Sequence, residues 1–188
     1  MSHPSSSLQD VFISYGRADS RLFARRINDQ LVEAGLEVWF DFDDIPLGVD
    51  YQRQINKGIE RADNFLFIIS PHSVNSPYCA KEIELALAYN KRIIPLLHVE
   101  EISYETWQQR NPEANISGWQ ALQEKGLHSS FANLHPEISK INWVYLRKGI
   151  DDFDVGIAGL EAILARQQSY VHQHTVLLVQ ALEWQQRQ

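Results

Sequence analysis

The sequence predicts an α/β domain: a doubly wound, five-stranded parallel sheet in the order 2-1-3-4-5, with an extra C-terminal helix. Three observations lead there. Short runs rich in β-branched and aromatic residues alternate about five times with segments of helical period, the pattern of a parallel sheet covered on both faces. Asn64-Phe65-Leu66-Phe67-Ile68-Ile69 runs on without polar alternation, as a strand buried on both faces does. Right-handed crossovers leave few orders for such a chain, and 2-1-3-4-5 is the common five-stranded solution.

Each element has its own signal. Residues 1–9 are small and polar and read as a disordered tail. Strand 1 is Asp10-Val11-Phe12-Ile13-Ser14-Tyr15, ended by Gly16; the next helix takes Asp19 or Ser20 as its cap and Phe23, Ile27, Leu31 and Ala34 as its stripe, with Gly35 closing it in the left-handed region. Strand 2 covers 37–41. A loop of turn formers runs from Asp41 to Val49, and Asp50 caps a helix with Tyr51, Ile55, Ile59 and Ala62 on its apolar face. Strand 3 spans 64–70. Ser76 then suits an N-cap and Pro77 the first helical position, where a missing N–H costs nothing. That helix runs to about Asn90, with Cys79, Ile83, Ala86 and Leu87 toward the core and Tyr78 and Glu82, four residues apart, on an adjoining face. Strand 4 spans 92–98, with Pro95 marking a bulge or an edge. Residues 99–140 carry no sustained period beyond a short helix near 118–125. Strand 5 spans 141–146, Asp151 or Asp154 starts a further helix, and 169–188 form a last helix or a connection to another domain. Trp107, Trp119 and Trp143 read as core residues.

Composition excludes several functions. The 188 residues carry a net charge of −7, which argues against a nucleic-acid face and an anionic membrane surface, since both need clustered Lys and Arg. No apolar run reaches membrane-span length, and the N-terminus lacks the apolar segment of a signal peptide. The single cysteine, Cys79, lies on a core stripe and reads as a packing residue in a reducing, cytoplasmic compartment. His172 and His174 diverge on a helix, so no metal site is expected, and no Gly-x-Gly-x-x-Gly or Walker loop holds a resident nucleotide.

In this flavodoxin-like order the chain reverses between strands 1 and 3, and ligands bind in the crevice outside the carboxyl ends of the strands there. Position alone nominates Ser14, Tyr15, Gly16 and Arg17 on one wall, Ser70 through Tyr78 and Glu82 on the other, and the Asp41–Gly48 loop above. Arg17 and the backbone N–H groups near Gly16 suit a phosphate. Asp41 and Asp43 suit ribose hydroxyls, and Phe42 and Ile45 fall in the same loop.

The residues also carry a family resemblance. Asp-Val-Phe-Ile-Ser-Tyr at 10–15, Val-Trp-Phe-Asp at 38–41 followed by Pro-Leu-Gly, and Ser-Pro-x-Ser-x-x-Ser-x-Tyr-Cys-x-x-Glu-Ile at 70–83 resemble, in order, the three signature boxes of Toll/interleukin receptor (TIR) domains. The resemblance covers about Asp10 to Leu164, and the Tyr-Cys-x-x-Glu-Ile form is similar to bacterial members. It implies one of two activities: cleavage of NAD+ at the nicotinamide–ribose bond, giving linear or cyclic ADP-ribose in prokaryotic immune or stress signalling, or non-catalytic assembly as a signalling scaffold. The family's catalytic glutamate falls on Glu82, and its aromatic position four residues earlier on Tyr78. NAD+ is then a substrate and no cofactor is implied, while the Asp41–Val49 loop carries self-association. Glu84, on another face of the helix, reads as an ordinary surface residue. A phosphoacceptor receiver domain shares the sheet order but needs paired acids after strand 1 and an Asp ending strand 3, where this chain has Ser14-Tyr15 and Ser70.

Overall fold

The structure is a computed structural model that describes residues 7–40 and 51–187. Five parallel strands form one sheet in the order β2-β1-β3-β4-β5, as the sequence predicts. They are β1 (Gln9–Tyr15), β2 (Val38–Trp39), β3 (Ala62–Ile69), β4 (Arg92–Leu97) and β5 (Val144–Tyr145). Helix α1 (Arg17–Glu33) follows β1, α2 (Tyr51–Arg61) precedes β3, and α3 (Pro71–Val74) and α4 (Pro77–Ala88) connect β3 to β4. Between β4 and β5 lie α5 (Tyr104–Arg110), α6 (Ile116–Glu124) and α7 (Pro136–Ser139); α8 (Phe153–Ala165) and α9 (Gln168–Gln186) follow β5.

Strand β3 is buried at every position, as its unbroken apolar run requires. It pairs with β1 through Val11–Asn64 to Tyr15–Ile68 and with β4 through Asn64–Arg92 to Ile69–Leu97. The pleat sends alternate side chains to opposite faces. Val11, Ile13, Leu66 and Ile68 meet α1 and α8 on one side; Phe12, Phe65, Phe67 and Ile69 meet α2 and α4 on the other.

Several expectations need correction. Helix α1 starts at Arg17 with Gly16 as its N-cap, so neither Asp19 nor Ser20 caps it. Asp19 instead accepts the His72 backbone N–H at 2.6 Å and pairs with Arg110, while Ser20 is buried. Ala34 lies beyond the helix and is exposed, and Gly35 has φ +88° as foreseen. Gln9, assigned to the tail, pairs with Ala62. Asp152 is the cap of α8, accepting from the Val155 N–H, because Asp151 is held by Arg147. Strand β5 has two residues instead of six, and Trp143, just before it, is half-buried with its indole N–H donating to the Ile138 carbonyl at 3.1 Å.

Pro95 lies inside β4, opposite Phe67, in neither a bulge nor an edge strand. The alternation explains its tolerance. His98 N–H reaches the Ile69 carbonyl on the β3 side, whereas the Leu97 carbonyl accepts from Leu146 on the β5 side. Pro95 shares the parity of Leu97, so its missing N–H points toward β5, whose ladder begins only at Leu96–Val144. No bond with β3 is lost.

The stretch 99–140 reads poorly because its order comes from aromatic contacts between short helices. Trp107 and Trp119 are buried against each other at 5.7 Å, with Tyr104 and His128 beside them. Ser103 and Asn115 cap α5 and α6. Helix α9 packs on α2 and β3: Val171 and Thr175 are buried, Lys91 Nζ donates to the Ala62 and Glu60 carbonyls, and Arg61 pairs with Glu183.

Candidate active site

A cavity of about 390 Å³ opens along the carboxyl half of β1, walled by Trp39 of β2 and by residues of α2, α3 and α4. Its acid is Glu82. The β1 pleat turns Ser14 to the same face as Phe12, toward α4, and the Ser14 hydroxyl donates to Glu82 Oε2 at 2.6 Å. Helix α4 brings the carboxylate there because Ser76 caps it, accepting the Cys79 N–H, and Pro77 opens the first turn. The stripe that buries Cys79, Ile83 and Ala86 also carries Glu82 inward, leaving it 9% exposed. A carboxylate this shielded interacts with a nearby cation far more strongly than one in water. A charge-assisted bond of this length also fixes its orientation.

Cys79 sits at the cavity base, its thiol directed to the Tyr15 carbonyl at 3.6 Å. Burial, with the Glu82 charge adding, pushes the thiol pKa up to about 12, so no thiolate nucleophile is available near neutral pH.

The remaining nominated residues divide by geometry. Tyr78 lines the rim, 60% exposed, one helical turn before Glu82. Arg17 also lines the cavity and donates to the Tyr51 hydroxyl at 3.0 Å. The Tyr15 ring turns to the α1 face, 5.3 Å from Phe40. Gly16 acts through close approach: a Cβ there would stand 2.5 Å from Ser73 N and 2.9 Å from Ser70 Oγ, so α3 packs directly on its backbone. Ser70 is fully buried and outside the cavity lining, because its hydroxyl caps α3 and accepts the Ser73 N–H at 3.2 Å. Asp41, Phe42, Asp43, Ile45 and the rest of the 41–49 loop lie outside the described residues. Glu84 points away from the cavity and pairs with His135 Nε2 at 3.0 Å on the surface.

His72, within the nominated 70–78 wall, does line the cavity, whereas sequence reasoning missed Trp39 and Tyr51. Trp39 stacks on Phe12 at 4.5 Å and lies flat over Gly58, where a Cβ would come within 2.8 Å of the ring. A glycine inside an otherwise regular amphipathic helix was the available signal for that aromatic platform. Among the described residues no cluster of His, Cys, Asp or Glu suits a metal ion.

Together the sheet order and the buried acid at its switch point define a doubly wound α/β domain with a preorganised carboxylate. The chain belongs to the TIR domain family, whose model matches residues 11–126. It is 29% identical over 94 residues to the NAD(+) hydrolase TcpC of Escherichia coli O6:H1, a match covering 47% of this chain and 31% of that protein. It is also 29% identical over 93 residues to the 2′ cyclic ADP-D-ribose synthase BtTIR of Bacteroides thetaiotaomicron, covering 47% and 32%. The chain thus matches about a third of the length of these relatives. Among solved structures, the TIR domains of the activated Roq1 resistosome superpose with a TM-score of 0.57 at 17% identity, over 83% of this chain and 99% of that one. A TIR-STING receptor from C. gigas gives 0.51 at 17% identity, over 93% and 41%. These likenesses concern the fold.

Proposed function

We propose that this protein cleaves NAD+ at the nicotinamide–ribose bond, with Glu82 stabilising the cationic transition state. The observation that carries the reading is a buried carboxylate, held by Ser14 at 2.6 Å, at the base of the switch-point cavity. Nicotinamide leaves NAD+ as a neutral ring, and the bonding pair departs with it. The ribose carbon becomes oxocarbenium-like, as in glycoside cleavage. A fixed negative charge beside that carbon lowers the barrier without reorganising at the moment of reaction. Water then adds to C1′ and loses a proton, giving ADP-ribose; capture by a ribose hydroxyl gives a cyclic product.

The cavity lies near the lower end of the range for small-molecule pockets, about 300–1,000 Å³, and suits the nicotinamide riboside half. Tyr78, 60% exposed at the rim, supplies a face for the ring. The pyrophosphate leaves over the rim at Arg17. Self-association through the 41–49 loop, and a role in signalling, belong to the same reading.

The test is incubation of the pure protein with NAD+ and chromatographic detection of nicotinamide. Release that depends on Glu82 is expected. No release at high protein concentration, with a crowding agent to drive assembly, would favour the scaffold activity.

A further inference from the structure

A second cavity, of about 630 Å³, opens on the opposite face of the sheet, between α1 and the segment following β5. Its charge is unlike that of the chain. Net charge overall is −7, yet Arg17, Arg21, Arg26, Arg147 and Lys148 line this one hollow against Asp19 and Asp151. Both carboxylates are already paired, Asp151 with a cation of this same hollow. Asp19 is held by Arg110 and the His72 N–H, and Asp151 takes two guanidinium nitrogens of Arg147, whose third reaches Glu100 at 2.7 Å. Among the described residues, neither Arg26 nor Lys148 forms an ion pair. Arg26 instead lies over the Phe153 ring.

The floor has a different chemistry. Phe23 stacks on His98 at 3.8 Å and meets Phe153 edge-on at 6.4 Å. Leu22, 79% exposed, stands at one wall. His98 is pinned by Ser20 at 3.0 Å, and burial draws its pKa down to about 4, so the floor is uncharged near neutral pH. Cations gathered in a hollow with apolar walls focus a positive potential on whatever enters. An apolar floor beneath them adds a surface for a flat ring.

We propose that this cavity binds a nucleoside phosphate, with its phosphate at Arg26 and Lys148 and its base against Leu22 and Phe23. The site is separate from the Glu82 cavity: Arg17 is the residue that lines both. The assignment therefore stands whether or not Glu82 cleaves NAD+.

The experiment uses the whole chain, isotopically labelled, titrated with AMP, adenosine and inorganic phosphate while amide resonances are followed. AMP is expected to shift Leu22, Phe23, Lys148 and Gly149 more than Tyr78 and Glu82, and to bind more tightly than either fragment. The double variant Arg26→Glu, Lys148→Glu changes two surface side chains. It should weaken AMP at these amides by about tenfold or more, as loss of charge-assisted contacts does. Unchanged AMP affinity in that variant would overturn the proposal, as would the absence of shifts at millimolar AMP. Inorganic phosphate binding as tightly as AMP would overturn the nucleoside assignment.

Discussion

Replacing Glu82 by Gln keeps the side-chain size and the helix and removes one negative charge. In the parent, that charge is 9% exposed and accepts a 2.6 Å bond from Ser14. Loss of one preorganised electrostatic group of this kind costs about 2.7–4 kcal/mol of transition-state stabilisation, or about a hundredfold to a thousandfold in turnover. Stability should change much less than turnover. The amide carbonyl of the variant still accepts the Ser14 proton, so a bond worth about 1.5–3 kcal/mol to a charged group becomes one worth about 1 kcal/mol. Against that, a buried ion with a desolvation penalty of several kcal/mol is replaced by a neutral amide. The two effects oppose, so Tm should move by only a few degrees, at about 2–4 °C per kcal/mol for a domain of this length. Glu84→Gln is the comparator. Its pair with His135 is surface-exposed and contributes about 0–1 kcal/mol. The assay is nicotinamide release from the three proteins, with thermal unfolding alongside. Equal turnover in all three would remove Glu82 from the chemistry. A Tm fall in the Glu82→Gln variant matching its loss of activity would show damage to the fold instead.

Other consequences follow from the same geometry. Gly16→Ala forces a Cβ to within 2.5 Å of Ser73 N, a backbone atom, and should cost about 2–3 kcal/mol in urea unfolding; an unchanged midpoint would show that α3 does not rest on Gly16. His98, lowered by burial to about 4 from its usual 6.5, is neutral in the folded chain over a window where the unfolded chain binds a proton. Its stability contribution is therefore present above pH 6.5 and lost as pH falls from about 6.5 to about 4, by up to roughly 3 kcal/mol, with Asp19 opposing and Lys148 reinforcing the shift. Unfolding free energies across that range should show the slope, and His98→Gln should flatten it; the same slope in both proteins would assign it to other groups. Cys79, 4% exposed and raised to about 12, should resist iodoacetamide at pH 8 in the native protein and react once denatured, while Cys79→Ala retains turnover. Rapid labelling of the native thiol would contradict its placement.

Local sequence determined the parts whose signals are themselves local. The unbroken apolar run of β3, the Ser76-Pro77 start of α4 and the left-handed Gly35 are each specified within a few residues. Strand–helix alternation with right-handed crossovers then leaves little freedom in sheet order, and 2-1-3-4-5 follows. Glu82 was nominated by helical spacing, switch-point position and the family resemblance together, and the fold places it in the cavity. Tertiary structure decided what depends on partners distant in sequence. Ser14 became the anchor of Glu82 across 68 residues, and Asp19 was drawn from capping α1 to His72 and Arg110. Residues 99–140 took their order from a Trp107–Trp119 contact that no period encodes. Strand β5 stopped at two residues, beside the position where Pro95 presents no N–H. A periodic pattern records which face of an element is apolar. Which polar group meets which is fixed only when packing brings them within hydrogen-bond reach, because the cost of leaving a buried one unmatched acts on the folded chain.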